Sequence, residues 1–306
     1  MNGRRTMTLS IHLGVHKTAT THLQHSVRRI EQDLLDADRI FLGPDSLRDA
    51  PLDLRALLNR PQATPKRATL ARDLLRSLRD EHAALTLSDE LILGGLGRER
   101  MLADDGSFYR DAQMRLGNLL DLLGTRDVDL FLALRAPASF VTSVHGELTR
   151  QGGAGSLQDY LGDFDVGTAQ WQPLVMRLLS VMGQGRLTIW RFEDTARVRD
   201  RLLTRMLGAE LAALVPNPPP LRVGLSAAAY RHLEKAGQGA SQDDRRRQAE
   251  MALRQHPQRR PDQRLRLLDD AVHDRSAATY DRDCDRIAAL PKVDFLRPGD
   301  GDAAQG

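Results

Sequence analysis

The sequence predicts an α/β fold in three α/β/α layers, with a central parallel sheet and further helices toward the C-terminus. Short apolar runs typical of buried strands alternate with longer stretches whose apolar residues have helical spacing. This alternation is the pattern of a parallel sheet covered by helices on both faces. The chain has 306 residues, 41% of them hydrophobic, which is enough to form a large buried core.

Four apolar runs predict strands. They are Thr8–Leu13, Ala83–Ser88, Val128–Leu134 and Arg186–Trp190. Each is short and rich in apolar residues, as expected for a strand that is buried in a parallel sheet.

Helices are predicted between and after these strands. Leu23, Val27, Ile30 and Leu34 recur at steps of four, three and four, which puts them on one helix face. After the third strand, Pro137 suits a first helical turn and Gly152-Gly153 ends the helix. Helical spacing also covers Met101–Leu123, Gln170–Met182, Leu225–Ala236 and, as a long or interrupted pair, Asp262–Leu290.

The proline run Pro216–Pro220 divides the chain. Residues 1–220 are predicted to form the α/β core, and residues 221–295 a helical extension of the same domain. Residues 296–306 are polar and rich in glycine, and we expect a disordered tail there.

Composition excludes several classes of protein. The net charge is only +3 and basic residues are interleaved with acidic ones, which argues against a nucleic-acid binder. Aromatic residues make up 4% of the chain, too few for a base-stacking platform. No apolar run approaches the roughly 20 residues of a membrane span, and the N-terminus lacks a signal-peptide pattern, so we expect a cytoplasmic protein without stable membrane insertion. The single cysteine, Cys284, is expected to be a small core residue.

The loop after the first strand, Gly14–Thr21 (GVHKTATT), has the composition of an anion-binding turn. A strand, a small hydroxyl-rich turn and a helix N-terminus together supply free backbone N–H groups, hydroxyl donors and the positive end of a helix dipole. Lys17 adds a full charge, and it is one of only four lysines among 44 basic residues. The alternative is an ordinary turn whose threonines cap the helix.

A second anion-binding signal follows the third strand. Arg135 lies at the end of that strand, and Ser143 follows eight residues later on the next helix. A guanidinium is a fork of donors suited to phosphate, and a helical serine two turns on can donate to the same group. With 40 arginines this spacing alone proves little, but it falls at a strand-to-helix junction about 120 residues after the first loop.

The first loop is not a Walker A motif, which requires glycines where Ile11 and His16 stand. The stretch IHLGVHKTATTHLQ instead resembles the 5′-phosphosulfate loop of sulfotransferases that use 3′-phosphoadenosine 5′-phosphosulfate (PAPS), in particular a bacterial branch that reads roughly HxGxHKTGTTxLQ. Arg135 and Ser143 are similar to the 3′-phosphate motif of the same family. The departure is Ala19, where that branch usually has glycine; a methyl group there is tolerated only at negative φ.

The resemblance implies a fold, a donor and roles for individual residues. The fold is the P-loop NTPase-like α/β/α sulfotransferase fold, and the donor is PAPS, with 3′,5′-bisphosphoadenosine (PAP) as product. Lys17 would contact the oxygen that bridges phosphorus and sulfur, while Arg135 and Ser143 would hold the 3′-phosphate. The implied donor-binding set is His16, Lys17, Thr18, Ala19, Thr20, Thr21, Arg135 and Ser143. No metal is expected, because a sulfuryl group carries less charge than a phosphoryl group and the nine histidines are scattered.

A general base is expected at the end of the second predicted strand, Ser88-Asp89-Glu90. Related bacterial sulfotransferases often have Ser-x-Glu there, which favours Glu90. His16 is the second candidate for the base and Asp89 the third.

The acceptor is expected to be a small molecule or a glycan with a hydroxyl or, less readily, an amine. Arginines are frequent and aromatic residues rare in the segments that should form its pocket, which favours a sugar-like or anionic acceptor. These segments are Asp45–Gln62, Gly94–Tyr109, Gly152–Asp165 and the C-terminal helices. Arg222 is a further candidate for contact with the nucleotide. Two alternatives stay open: a kinase-like P-loop enzyme, with Asp89 as its Walker B acid, and a non-catalytic nucleotide- or glycan-binding relative.

Overall fold

The computed structural model describes residues 7–59, 64–152, 155–219, 224–236, 241–258, 260 and 263–299. Its centre is a sheet of six parallel strands. The strands are β1 (Thr8–His12), β2 (Arg39–Leu42), β3 (Ala84–Ser88), β4 (Asp129–Leu134), β5 (Leu187–Arg191) and β6 (Val293–Leu296). The four predicted strands are therefore confirmed, as β1, β3, β4 and β5.

Helices fill the segments between strands. From the N-terminus to β4 they are α1 (Thr20–Arg28), α2 (Glu31–Asp36), α3 (Pro44–Leu47), α4 (Leu54–Leu57), α5 (Pro65–Glu81), α6 (Arg98–Met101) and α7 (Ala112–Leu123). Between β4 and the proline run they are α8 (Pro137–Arg150), α9 (Leu157–Leu161), α10 (Gln172–Val181), α11 (Thr195–Leu207) and α12 (Ala209–Leu214). The C-terminal helices are α13 (Ala227–Ala236), α14 (Gln242–Gln255) and α15 (Asp270–Ala288).

The helices cover both faces of the sheet, which confirms the predicted three-layer α/β/α class. Side chains along β4 alternate: Leu130, Leu132 and Leu134 point to one core, and Phe131 and Ala133 point to the other. The first core is closed by α5, α7, α8, α10 and α15, and the second by α1, α2, α11 and α12.

The strand order is β2-β3-β1-β4-β5-β6. The connection that leaves β1 runs toward β2 on one side, while the connection that leaves β4 runs toward β5 on the other. Successive strands are therefore added on one side of β1 and on the opposite side of β4, so the strand order changes direction between β1 and β4. In open parallel sheets, such a switch point leaves a crevice at the carboxyl ends of the two strands, where ligands bind.

Two edge strands, β2 and β6, are absent from the sequence prediction. Each has four residues, and every residue of β2 is half-buried, so neither has the long apolar run that marks a central strand. β6 pairs with β5 through Leu187↔Val293 to Trp190↔Leu296, so the segment 221–295 is not purely helical, and the predicted tail from 296 begins with a paired residue. Residues 300–306 lie outside the described residues.

The helix predicted over Met101–Leu123 is wrong in its first half. The structure has the four-residue α6, then an antiparallel bridge between Leu102 and Phe108, and only then α7. Asp105 breaks the helix by accepting hydrogen bonds from the backbone N–H and the hydroxyl of Ser107 at 3.0 and 2.6 Å.

The C-terminal segment divides into two parts. α13 and α14 form a small core of their own around Tyr230, and they pack against α8. α15 belongs to the main core, where Cys284 is buried as predicted. None of the helices in the described parts of the chain is both long and apolar enough to cross a membrane.

Candidate functional site

The predicted site residues lie at the carboxyl edge of the sheet, on the loops that follow β1, β3 and β4. His12 is level with Ser88 in β3 and with Phe131 in β4. β1 and β3 therefore end level with each other, while β4 continues for three more residues, to Leu134. The loop 13–19, the turn at Asp89-Glu90 and the turn at Arg135-Ala136 all lie at this edge of the sheet, beside the switch point.

The loop after β1 is tightly wound. Gly14, Lys17 and Ala19 have φ values of 49°, 63° and 61°, all in the left-handed region. A Cβ on Gly14 would lie 2.5 Å from Oγ1 of Thr20, so only glycine allows this approach. The Thr20 hydroxyl is buried and has no hydrogen-bond partner among the described residues, as expected of a donor that meets a ligand.

Ala19 has a positive φ, although a residue with a methyl side chain was expected to be tolerated at this position only with a negative φ. At φ 61° and ψ 24° it is in the left-handed helical conformation, immediately before α1. An L-residue with a Cβ is less stable there than glycine by roughly 1–2 kcal/mol. The side chain is exposed, so the methyl group clashes with no neighbouring residue, and the cost is confined to the backbone.

Thr18 has a structural role in its side chain. Its hydroxyl donates to the carbonyl oxygen of Val15 at 2.5 Å and closes the loop on itself. Because its proton is used in this hydrogen bond, the Thr18 hydroxyl cannot also donate to a phosphate. Backbone N–H groups of the loop still lie at the N-terminus of α1. Thr21 is half-buried at the first turn of α1.

Lys17 is paired with a carboxylate that the sequence did not indicate. Its Nζ lies 3.0 Å from Oε2 of Glu147 on α8, and the two side chains are 23% and 12% exposed. Glu147 is also bound by Arg150 and by Gln151, whose amide donates to Oε1 at 2.9 Å. Although burial acts in the opposite direction, hydrogen bonds and the charges of Arg150 and Lys17 lower the pKa of Glu147 to about 2.

Arg135 ties the turn after β4 to the loop after β1. Its Nη1 donates to the carbonyl oxygen of Lys17 at 2.7 Å, and its guanidinium lies 4.9 Å from the centre of the Phe192 ring. Burial lowers the pKa of this guanidinium to about 10, and the nearby charge of Glu193 acts in the opposite direction. The Nε–H is buried without a partner among the described residues, so one arm of the donor fork is free.

Ser143 shares a face of α8 with Glu147, because residues four apart on a helix lie one turn above the other. Since Glu147 contacts Lys17, this face of α8 is turned toward the loop after β1. The structure thus brings Lys17, Arg135 and the face of Ser143 to one side of the crevice.

His16 is bound by Tyr109, a residue within the helix predicted over Met101–Leu123 but outside α7 in the structure. The backbone N–H of His16 donates to the Tyr109 hydroxyl at 3.0 Å, and Nδ1 of the ring lies 2.9 Å from the same oxygen. The two rings are nearly parallel, with centres 5.8 Å apart. Burial lowers the pKa of His16 to about 3, so the ring is neutral at pH 7 and a weak base.

Asp89 and Glu90 differ sharply in their surroundings. Asp89 is 1% exposed and accepts two hydrogen bonds from Arg48, at 2.9 and 2.6 Å, and one from the backbone N–H of Leu91 at 2.8 Å. Glu90 accepts from Arg48 at 2.9 Å through Oε1 alone, while its Oε2 is buried and unpartnered within the described chain. Asp89 is therefore a structural ion-pair partner, whereas one carboxylate oxygen of Glu90 has no partner among the described residues.

A buried polar cluster behind the site holds the strand ends in register. Nδ1 of His12 lies 2.8 Å from the hydroxyl of Ser88, and the amide of Gln24 donates to both oxygens of Ser88 at 3.0 and 3.1 Å. These contacts join β1, β3 and α1. Burial lowers the pKa of His12 to about 4, so this histidine is also neutral at pH 7.

Three residues of the site were not singled out from the sequence: Arg48, Tyr109 and Glu147. Arg48 and Tyr109 lie within the segments predicted to form the acceptor pocket, Asp45–Gln62 and Gly94–Tyr109, and Glu147 lies outside them. The turn sequence DDGS at 104–107 is the one signal that could have placed Tyr109 outside a helix. Nothing in the sequence separates Arg48 from the other arginines, or Glu147 from other helical glutamates. Arg222 and the parts of the acceptor segments at 60–62 and 153–154 lie outside the described residues.

No group of three or more histidine, cysteine, aspartate or glutamate side chains in the described ranges could hold a metal ion. No protein-family model matches the chain, and neither a curated protein nor a solved structure matches it significantly.

Proposed function

We propose that this protein is a PAPS-dependent sulfotransferase that transfers a sulfuryl group to a hydroxyl of a small molecule or glycan. The proposal rests on the resemblance of the loop after β1 and on the crevice in which its residues meet. One observation supports it above the others. Arg135 reaches across the switch point to the carbonyl of Lys17 and keeps a buried, unpartnered Nε–H beside the proposed donor loop.

The donor occupies the crevice between the ends of β1 and β4. Backbone N–H groups at the start of α1 and the Thr20 hydroxyl bind the 5′-phosphate. Arg135 and Ser143 bind the 3′-phosphate, the group that distinguishes PAPS from ATP. Lys17 leaves Glu147 and binds the oxygen that bridges phosphorus and sulfur, where it stabilises the charge of the leaving nucleotide.

The transfer step conserves atoms and electrons. The acceptor oxygen forms a bond to sulfur as the bond from sulfur to the bridging oxygen breaks, and that electron pair remains on PAP. Glu90 takes the acceptor's proton on Oε2, the oxygen that has no partner in the free protein. Arg48 holds the other oxygen at 2.9 Å and so fixes the direction of the carboxylate.

A second candidate function is nucleotide binding without transfer. The ion pair between Lys17 and Glu147 favours it, because it neutralises the lysine that transfer would need. The kinase alternative is weakened by Arg48, whose two hydrogen bonds to Asp89 occupy the carboxylate that a Walker B acid would offer to a metal ion.

Calorimetric titration with PAP, adenosine 5′-monophosphate and ATP tests the donor site. PAP is expected to bind about tenfold or more tightly than the monophosphate, since a charged hydrogen bond contributes about 1.5–3 kcal/mol. Arg135→Ala should abolish the difference in affinity between PAP and the monophosphate. Arg55→Ala, at an exposed arginine, is the control and should keep that difference. ATP binding more tightly than PAP would instead support the kinase.

Transfer from sulfur-35-labelled PAPS to a panel of sugars and hydroxyl metabolites tests the reaction. Lys17→Ala and Glu90→Gln should each reduce label transfer by about a hundredfold or more, and the control Lys66→Ala should leave it unchanged. Tight PAP binding without transfer to any acceptor would favour the non-catalytic candidate. PAP binding no tighter than that of the monophosphate would contradict the proposed function.

A further inference from the structure

The contact between His16 and Tyr109 is the observation from which the position of the imidazole proton is argued. The Tyr109 hydroxyl has a single proton and lies within hydrogen-bond distance of two groups, the backbone N–H of His16 and the ring Nδ1. The backbone N–H is a donor only, so the hydroxyl oxygen accepts from it. Nδ1 is the one acceptor in hydrogen-bond contact with this hydroxyl among the described residues, so it is the group to which the hydroxyl proton can be donated.

A neutral imidazole whose Nδ1 accepts a hydrogen bond carries its proton on Nε2. No hydrogen bond from Nε2 is present among the described residues, so this N–H remains available to a ligand. From this geometry we propose that Tyr109 holds His16 as the Nε2–H tautomer, and that His16 acts as a neutral hydrogen-bond donor to an anionic oxygen bound in the loop after β1.

The charges around His16 are consistent with a neutral ring. The carboxylates of Asp89 and Glu147 act to raise its pKa, and the cations of Arg48 and Lys17 act to lower it. These groups come from four directions: the end of β3, α8, the segment after α3, and the loop itself. With two charges of each sign, burial is the largest effect, and it favours the uncharged ring.

The neutral donor has a clear chemical use. A protonated histidine would release its proton as pH rises, and a histidine acting as a base would need a free lone pair. Fixed in one tautomer, the ring instead stays uncharged and keeps one N–H donor as the pH varies around neutrality. The ligand in this inference rests on the proposed function, but the tautomer does not.

The tautomer can be measured directly in the full chain, without an activity assay. Long-range ¹H–¹⁵N spectra of protein labelled with ¹⁵N-histidine report which ring nitrogen is protonated, and His16→Gln identifies the signals of His16. We expect a protonated Nε2 and an unprotonated Nδ1, unchanged from pH 8 to pH 5. An Nδ1–H tautomer, or a ring that titrates in this range, would overturn the proposal.

Tyr109→Phe removes the hydroxyl. The ¹⁵N signals of His16 should then become those of a ring that exchanges between the Nδ1–H and Nε2–H tautomers. Tyr230→Phe is the matched control, because the Tyr230 hydroxyl lies 3.3 Å from Nδ1 of a different histidine, His145. It should alter the His145 signals and leave those of His16 unchanged. If Tyr109→Phe does not fold, the wild-type spectrum alone still decides the tautomer.

The donor role is tested by adding inorganic sulfate and, separately, PAP. Either anion should shift the Nε2–H resonance of His16. His16→Gln, whose amide can replace the Nε2–H, should keep PAP affinity within a few-fold, while the shorter His16→Asn should lose about tenfold to a hundredfold. No shift with either anion would overturn the donor role. A shift with sulfate, together with PAP binding no tighter than adenosine 5′-monophosphate, would support the inference and contradict the proposed function.

Discussion

The ammonium of Lys17 and the carboxylate of Glu147 lie 3.0 Å apart across 130 residues of sequence. One belongs to the loop after β1 and the other to α8, so the pair joins the two elements that frame the crevice. Lys17 is the loop's one full positive charge, and in the free protein Glu147 compensates it. An anionic ligand bound to this lysine would therefore have to compete with Glu147.

Glu147→Gln is expected to have opposite effects on stability and on affinity. Loss of the carboxylate removes charged contacts to Lys17 and Arg150 and should lower the free energy of unfolding by about 1–3 kcal/mol. The same change removes a negative charge beside the site, so PAP should bind several-fold more tightly. Urea unfolding and calorimetric titration measure the two effects, with the exposed Glu99→Gln as the control. Weaker PAP binding in Glu147→Gln would mean that Glu147 does not compete with the donor.

Ala19→Gly is expected to stabilise the protein. The residue is held at φ 61°, where a Cβ costs roughly 1–2 kcal/mol, and the greater freedom of glycine in the unfolded chain offsets about half of that. The expected gain is about 0.5–1 kcal/mol in urea unfolding. Ala277→Gly on the exposed face of α15 should instead lose about 1 kcal/mol. Equal losses at both positions would show that Ala19 is not held in the left-handed region.

Asp89→Asn is expected mainly to lower stability, and Glu90→Gln mainly to lower label transfer. Asp89 is buried and doubly bonded to Arg48, so its neutralisation leaves a poorly paired guanidinium and should cost about 3 kcal/mol of stability. Glu90→Gln should cost less than about 1 kcal/mol, since Oε2 has no partner to lose, but should reduce label transfer by about 10²–10⁴-fold. Thermal unfolding and the sulfur-35 assay give the two readouts. A Glu90→Gln variant with full transfer activity would exclude Glu90 as the base.

Stability should fall as pH drops from 6.5 toward 4. Burial lowers the pKa of His12 to about 4 and of His16 to about 3, from a value near 6.5 in the unfolded chain. In this range the unfolded chain takes up protons that the folded protein does not, so the free energy of unfolding decreases by up to about 1.4 kcal/mol per pH unit for each histidine. The contribution of Glu147, whose pKa is lowered to about 2, is lost only below about pH 4.5.

Urea unfolding at pH 7, 6 and 5 measures this dependence. His16→Gln should show a smaller slope than the wild type, because one of the buried rings whose pKa is lowered is gone. A free energy of unfolding that is flat between pH 7 and 5 would contradict the burial of both rings as neutral species.

The central strands and the loop after β1 were predictable from local sequence. β1, β3, β4 and β5 are short segments rich in apolar residues because both of their faces are buried, and burial on both faces leaves a local signal in the sequence. The short edge strands β2 and β6 leave no such signal, since their position depends on pairing with β3 and β5. The helix predicted across residues 102–111 was wrong because a turn built around Asp105 overrides apolar spacing there.

The candidate site shows the same division. The small, hydroxyl-rich turn with Lys17 and the arginine at the end of β4 are local features, and the structure places both at the carboxyl edge of the sheet. The partners of these residues come from distant parts of the chain: Glu147 for Lys17, Tyr109 for His16, and Arg48 for Asp89 and Glu90. Local spacing carries no information about such contacts, because they form only when parallel strands bring their carboxyl ends together. That juxtaposition makes Asp89 an ion-pair partner, leaves one oxygen of Glu90 free, and keeps His16 neutral, three properties that follow from burial and hydrogen bonding in the folded protein.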